Sequence, residues 1–368
     1  MNHNKIRIIG SSFLIAIWIF LTVFAWFSPA KDLSESERRP LTQFPDITVS
    51  SLLDGRFMEK FEDFSLDQFP LRDSFRELKS RFHYYVLNQK DNNGIYLKDG
   101  YAAKLEYPLD EESVLRATKI FANIYDTYLK TSGSPVFMAV APDKGFYLAK
   151  ENGYPAMDYD AMFRILQEQM PWATHIDLTD TLSAEDYYRT DTHWRQEKLL
   201  PAAAKISQKL GVTPPVSENF TPTALERPFY GVYYGQAALP MEPETITTLR
   251  SELLDDCQVY NHESKSYAQV YDMSKIDSKD LYDVFLSGPQ PLLTIENPNA
   301  GTERELIIFR DSFGSSLAPL LIQDYAKITL VDVRYVPSAT LGNYLEFYGQ
   351  DVLFLYSTLV LNASQTLK

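Results

Sequence analysis

From Ile8 to Phe27 the chain presents twenty residues without a charged side chain, a run that the core of a water-soluble domain rarely has room for. Wound as a helix, such a run is roughly 30 Å long, the thickness of a bilayer's hydrocarbon core. Lys5 and Arg7 precede it, no Asp or Glu occurs before Asp32, and Trp18 and Trp26 fall within it. The early cations favour an inside N-terminus, and a large following domain translocates despite Lys31, Arg38 and Arg39. Residues 1–30 are thus expected to form an N-terminal transmembrane helix that anchors an extracytoplasmic domain. Ser28-Pro29-Ala30 also fits cleavage of a signal peptide after Ala30, which would secrete the same domain.

Residues 31–368 carry 33 basic and 49 acidic side chains, a net of −16. Such a surface repels nucleic acid and anionic lipid and leaves neutral or cationic partners open. Cys257 is the only cysteine, so no internal disulfide can form, and Asp255 and Asp256 beside it oppose a thiolate nucleophile.

A polar, partly extended linker is expected over 31–55, followed by one large domain over 56–368. Phe57, Phe61, Phe64, then Phe75, Leu78 and Phe82 recur at helical spacing on either side of Phe69-Pro70, which predicts two helices. Asn92-Asn93-Gly94 and Lys98-Asp99-Gly100 bracket a short β-hairpin containing Ile95-Tyr96-Leu97. Strands and helices then alternate. Strands are predicted at Val136–Val140, His175–Leu178, Glu305–Phe309, Ile328–Val333 and Val352–Tyr356. Helices are predicted at about Glu111–Lys130, Tyr159–Met170, Gln196–Leu210 (interrupted by Pro201), Ser315–Tyr325 and Leu341–Tyr348. Residues 213–300, rich in Tyr and Pro, read as an irregular insertion with a hairpin around Tyr282–Ile295. Short apolar strands separated by helices imply an α/β fold with a mostly parallel sheet covered on both faces.

Two segments can carry chemistry. Thr190-Asp191-Thr192-His193-Trp194 lies in a loop before a helix, and Phe309-Arg310-Asp311-Ser312-Phe313-Gly314 turns from a strand into a helix. A serine at that turn sits where open α/β sheets place their ligands, beside helix N–H groups suited to an oxyanion. Serine needs a base held by a third group, and Asp191 with His193 supplies a carboxylate–imidazole pair. The tetrapeptide Arg-Asp-Ser-Phe also occurs at Arg72–Phe75, but there it runs into an amphipathic helix, so Ser74 reads as a solvated helix residue. A serine at a strand–helix junction is more often an N-cap than a nucleophile. His3, His83, His175 and His262 lack an Asp or Glu two residues earlier, no histidine pair has metal-ligand spacing, and no phosphate-binding glycine loop is present. Neither a metal nor a cofactor is expected.

The Asp-x-His-Trp segment, the later Arg-Asp-Ser-Phe-Gly and the trailing Val331-Asp332-Val333-Arg334-Tyr335 resemble the SGNH-hydrolase-like domains of the alginate O-acetyltransferase superfamily. Within it the nearest branch is the DHHW proteins of Gram-positive bacteria. Glu37-Arg38-Arg39-Pro40-Leu41, Asp67–Asp73 and Tyr282–Gly288 extend the likeness over most of 31–368. Thr192 stands where the branch name has its first histidine. The resemblance implies an SGNH-like αβα sandwich in which the Asp–His loop precedes the serine, a permuted order. It implies acetyl transfer to, or removal from, a cell-surface polysaccharide, with Ser312 as nucleophile, His193 as general acid–base and Asp191 orienting it. A membrane-bound acyltransferase would be the acetyl donor. Ser312 and Phe313 N–H groups are candidates for an oxyanion hole, and Arg334 and Tyr335 for sugar contact. A non-catalytic glycan-binding scaffold and a hydrolase of small esters remain as alternatives.

Overall fold

The computed structural model describes residues 3–34, 36–212 and 219–368; Met1 and Asn2 of the expected anchor, Glu35 of the linker and 213–218, where the irregular insertion is expected to begin, lie outside the described residues. The chain forms two compact units, one from Met1–Asn93 with Tyr234–Pro240, the other from Gly94–Tyr233 with Met241–Lys368.

The first unit begins with helix α1 (His3–Phe27), of which Arg7–Phe27 is long and apolar enough to cross a membrane. Helices α2 (Arg56–Asp67) and α3 (Arg72–Arg81) follow, and a π-helical turn over Phe82–Val86 prolongs α3. The break comes as expected at Phe69-Pro70, and Leu71 enters α3 from the left-handed region at φ 56°. Arg39 grips both oxygens of Asp67 at 2.9 and 2.6 Å, and the Thr42 amide and hydroxyl donate to the same carboxylate at 2.9 Å. The polar stretch is therefore laced to α2.

In the second unit Ile95–Lys98 and Tyr101–Lys104 form the expected hairpin, with Asp99 and Gly100 both at positive φ, as a tight two-residue turn demands. The main sheet has eight strands: β1 (Val136–Ala141), β2 (Thr174–Ile176), β3 (Gln258–Asn261), β4 (Ser266–Gln269), β5 (Leu292–Glu296), β6 (Glu305–Arg310), β7 (Lys327–Val331) and β8 (Asp351–Ser357). Their spatial order is β4-β3-β5-β7-β6-β8-β1-β2. The run from β7 to β2 is parallel, whereas β5 pairs antiparallel with both β7 and β3, and β4 antiparallel with β3. Side-chain alternation builds a core on each face. Leu306, Ile308, Leu353 and Leu355 pack with α6 (Leu200–Lys209) and α7 (Gly314–Leu321). Ile307, Phe309, Val352 and Phe354 pack with α4 (Glu111–Ile124) and α5 (Tyr159–Gln169). Each such side chain removed from water stabilises the fold by about 1.5–3 kcal/mol, which is why near-continuous apolar strands mark this sheet.

Three expectations are corrected. There is no hairpin over Tyr282–Ile295: Leu281–Val284 is a 3-10 turn, Leu286, Ser287 and Gly288 all take positive φ, and Leu292–Glu296 is strand β5 inside the main sheet. Residues 213–300 are not simply irregular, since they contribute a ribbon pairing Thr221–Phe229 with Glu244–Arg250 besides β3, β4 and β5. Pro222 and Pro228 obscure that ribbon in the sequence, and its register shifts between Ala224 and Pro228. Leu341–Tyr348 forms no α-helix, only a 3-10 turn at Ser338–Asn343, where Gly342 lies against the Tyr128 ring.

Candidate active site

Strand β6 delivers its last residue, Arg310, into the core, and the chain then turns through Asp311 and Ser312 into α7. The Asp311 carboxylate fixes this turn: Oδ1 accepts the Phe313 N–H at 3.0 Å and Oδ2 accepts the Ser357 N–H at 2.7 Å, tying the turn to β8. Gly314 allows the turn to be tight, because a Cβ there would meet the Arg310 side chain 2.8 Å away. Ser312 is left partly exposed between buried neighbours.

The second element is the loop before Trp194. His193 Nε2 lies 2.8 Å from Ser312 Oγ, and its Nδ1 lies 2.6 Å from Asp191 Oδ1. Asp191 is fully buried and also accepts the His193 amide at 3.0 Å on Oδ1 and the Val232 amide at 2.7 Å on Oδ2. With a carboxylate on Nδ1, the neutral ring carries its proton there and presents a lone pair at Nε2 to the serine. Tyr282 stacks flat on the imidazole, centroids 3.9 Å apart and planes 8° from parallel, while its hydroxyl donates to Ser316 Oγ at 2.7 Å. Trp194 locks the two segments together, its Nε1 donating to Phe313 O at 3.1 Å and Ser316 Oγ at 2.9 Å.

Behind the loop stand residues that carry no recognisable signal in the sequence. The Glu244 carboxylate accepts the Arg189 and Thr190 amides, each at 2.7 Å, and the Thr190 hydroxyl at 2.8 Å. Gly231 packs so closely that a Cβ would overlap the Asp191 backbone. Lys144, fully buried just beyond β1, donates to Tyr188 O at 2.8 Å and lies 5.0 Å from the Tyr233 ring centroid. The only hint of it is Asp143-Lys144 ending a strand. Asp143 caps the next short helix through the Gly145 amide at 2.6 Å, which turns Lys144 inward.

Burial pushes the Lys144 ammonium down to about 7, against the pull of Asp191, Glu244 and Asp143. A lysine in the unfolded chain titrates near 10.4, so between these values the unfolded state holds a proton that the folded state has lost. The stability of the wild type relative to Lys144→Met should therefore rise by a few kcal/mol between about pH 7 and 10, since each tenfold change in proton affinity is about 1.4 kcal/mol. Urea denaturation of both proteins at pH 6.5 and 9.5 measures it. A difference that stays constant would mean the lysine keeps its proton throughout.

The remaining expected residues are placed differently. The Phe313 N–H is already donated to Asp311, and the Gly314 and Ser315 amides to Asp311 O and Ser312 O at 3.1 Å, so Phe313 serves an oxyanion only if its bond opens. Its ring instead lies 5.2 Å from the His193 ring. Arg334 forms a two-pronged ion pair with Asp332, its Nη2 2.6 Å from Oδ2, and Tyr335 is about half exposed beyond β7. Cys257 is buried, and burial first, then Asp256, pushes its thiol up to about 12. Among the described residues no three His, Cys, Asp or Glu side chains stand together as a metal-binding set.

Residues 177–331 match the family model described as DHHW protein. This segment contains Asp191, His193 and Ser312. A DHHW family protein from Eubacterium siraeum is 23% identical with a TM-score of 0.56, over 74% of this chain and 93% of that one. Bacillus cereus PatB1, solved with a sulfonyl adduct, is 15% identical at the same TM-score, over 73% and 94%. The O-acetyltransferase domain of Pseudomonas putida AlgJ is looser still, 14% identical with a TM-score of 0.45, over 73% and 92%. No curated protein matches the sequence. The first two likenesses support the SGNH-like αβα fold expected from sequence. The DHHW segment here carries Thr192 as its second motif residue, and the Tyr233 hydroxyl donates to Thr192 Oγ1 at 3.1 Å.

Proposed function

We propose that this protein is a membrane-tethered, extracytoplasmic serine acyltransferase or esterase that moves acetyl groups on or off a cell-surface polysaccharide. The observation carrying this reading is the unbroken hydrogen-bonded chain Asp191–His193–Ser312, with the serine partly exposed and the other two buried. In it Ser312 Oγ attacks the acetyl carbonyl as its proton passes to His193 Nε2. The departing alkoxide takes that proton, leaving an acetyl-serine. A sugar hydroxyl, or water, then attacks the ester while His193 accepts its proton and returns it to Ser312. Asp191 holds the ring and stabilises it when charged. The net −16 of residues 31–368 favours a neutral glycan over a polyanionic one. A membrane-bound acyltransferase is the proposed source of the acetyl group, and α1 the anchor that keeps the domain beside it.

The test supplies p-nitrophenyl acetate to the purified protein with and without neutral oligosaccharide acceptors. Acetylated oligosaccharide in the products identifies a transferase, and acetate alone with release from acetylated glycan identifies an esterase. Turnover of the nitrophenyl ester that ignores glycan altogether would favour a hydrolase of small esters, and no turnover a glycan-binding scaffold.

A further inference from the structure

Helix α3 is polar on its inner face and apolar on its outer face. Arg72, Arg76 and Ser80 point inward: Arg72 meets Glu37 at 2.6 Å, Arg76 donates to Gly235 O at 2.8 Å, and Ser80 donates to Ala237 O at 2.9 Å. Leu71, Phe75, Leu78, Phe82, Tyr85 and Val86 point outward, with Leu78 63% and Val86 62% exposed. From Leu71 to Tyr85 the spacing is four, three, four and three residues, and Val86 stands four after Phe82, which makes one stripe along α3 and the turn that continues it. An ordinary surface helix has the opposite arrangement, and an exposed apolar stripe of this kind marks a surface that does not face water.

We propose that this stripe faces lipid, with α3 lying in the membrane's outer lipid–water boundary beside α1. The inference rests on the reading of α1 as a membrane anchor. Three observations select lipid as the occupant. The first is a tether at the end of α1: the Lys31 amide donates to Gln68 Oε1 at 2.9 Å, and Gln68 Nε2 donates back to Lys31 O at 2.8 Å. Gln68 lies three residues before Leu71, so the stripe starts within roughly 11 Å of that tether along the chain. The second is a groove of about 370 Å³ between α1 and α2, where Trp18, Leu21 and Trp26 face Phe44, Phe61 and Phe64. Helix α2 thus runs beside the outer half of the apolar segment, with aromatic side chains at the level where aromatic belts occur. The third is charge. Residues 56–81 hold six acidic and six basic side chains, a net of zero, in a chain whose residues 31–368 total −16. An anionic leaflet repels most of this domain but not this segment.

The test uses the full chain with Cys257 replaced by alanine, in phosphatidylcholine vesicles free of any other protein. Single spin labels are placed at Leu14, Leu78, Val86 and, on the polar side of α3, Asp73. Accessibility to oxygen, which concentrates in lipid, is compared with that to a water-soluble nickel chelate. The expected result is an oxygen-to-nickel ratio several-fold higher at Leu14, Leu78 and Val86 than at Asp73. If Leu14 is in lipid but Leu78 and Val86 are as aqueous as Asp73, the inference falls and the anchor stands. If Leu14 is aqueous too, the anchor reading itself has failed. Exclusion of both reagents at Leu78 and Val86 would reveal a protein–protein contact instead, and would equally overturn the proposal.

Discussion

Replacing Ser312 with alanine should abolish acyl transfer and the formation of a sulfonyl adduct while leaving the fold intact. The Ser312 side chain reaches His193 through its hydroxyl, and the turn around it is held by Asp311, Trp194 and Gly314, none of which the substitution touches. Stability should therefore stay within about 0.5 kcal/mol of the wild type. Loss of the nucleophile should cost on the order of four to six decades in rate, leaving only what binding supplies. Ser74→Ala is the matched control, since the same tetrapeptide there begins α3. It should keep full activity and full labelling by a sulfonyl fluoride, with the adduct mass mapping to the peptide of Ser312. Equal losses in the two variants would mean that the position of Ser312 after β6 has no chemical consequence.

Asp191→Asn should be nearly as damaging, at roughly 10⁴-fold in turnover. The carboxylate uses both oxygens as acceptors, Oδ1 from the His193 ring and amide, Oδ2 from the Val232 amide. An asparagine has one acceptor oxygen. Facing the ring, it sets its NH₂ against the Val232 N–H; facing Val232, it offers a donor to Nδ1 and favours the tautomer with Nε2 protonated. Either way a buried donor goes unpaired, so a stability loss of about 1–3 kcal/mol should accompany the kinetic one. His193→Ala should be at least as severe, and the double variant no worse than the single, because the two residues act as one unit. Turnover of the wild type and of the three variants, measured side by side, decides it. Near wild-type turnover without His193 would leave the glycan-binding scaffold as the better account.

The parallel part of the sheet was legible because its strands are buried on both faces and read as apolar runs, as in Leu306–Phe309 and Val352–Tyr356. The two loops that approach each other were legible because a serine after such a strand and an Asp-x-His pair are rare enough to stand out. What supports them was not. Glu244, Val232 and Gly231 reach Asp191 and its neighbours from a stretch whose prolines and tyrosines give no strand period, yet 221–229 and 244–250 pair there. Lys144 showed only as the end of a strand, because sequence carries no measure of burial for a single cation. The stacking of Tyr282 on His193 depends on a turn through three successive positive-φ residues, only one of them glycine. The Phe313 amide shows the limit from the other side. A helix start promises free N–H groups, but Asp311, two residues back, had already taken one.

Of the main sheet's strands β8 comes last in the chain, yet it is the middle one of the parallel run β7-β6-β8-β1-β2. β8 lies between β6 and β1, and its final residue, Ser357, donates the amide that fixes Asp311 beside the serine. Until residue 357 has left the ribosome, β1 with β2 and β6 with β7 are two separate half-sheets, each with an open parallel edge. The pairing of β8 with β1 joins residues more than 200 positions apart, so it cannot nucleate locally. A nascent or C-terminally clipped molecule lacking 351–357 would have both motifs but no fixed turn for Ser312. The turn that holds Ser312 thus depends on a strand that follows both motifs in the chain.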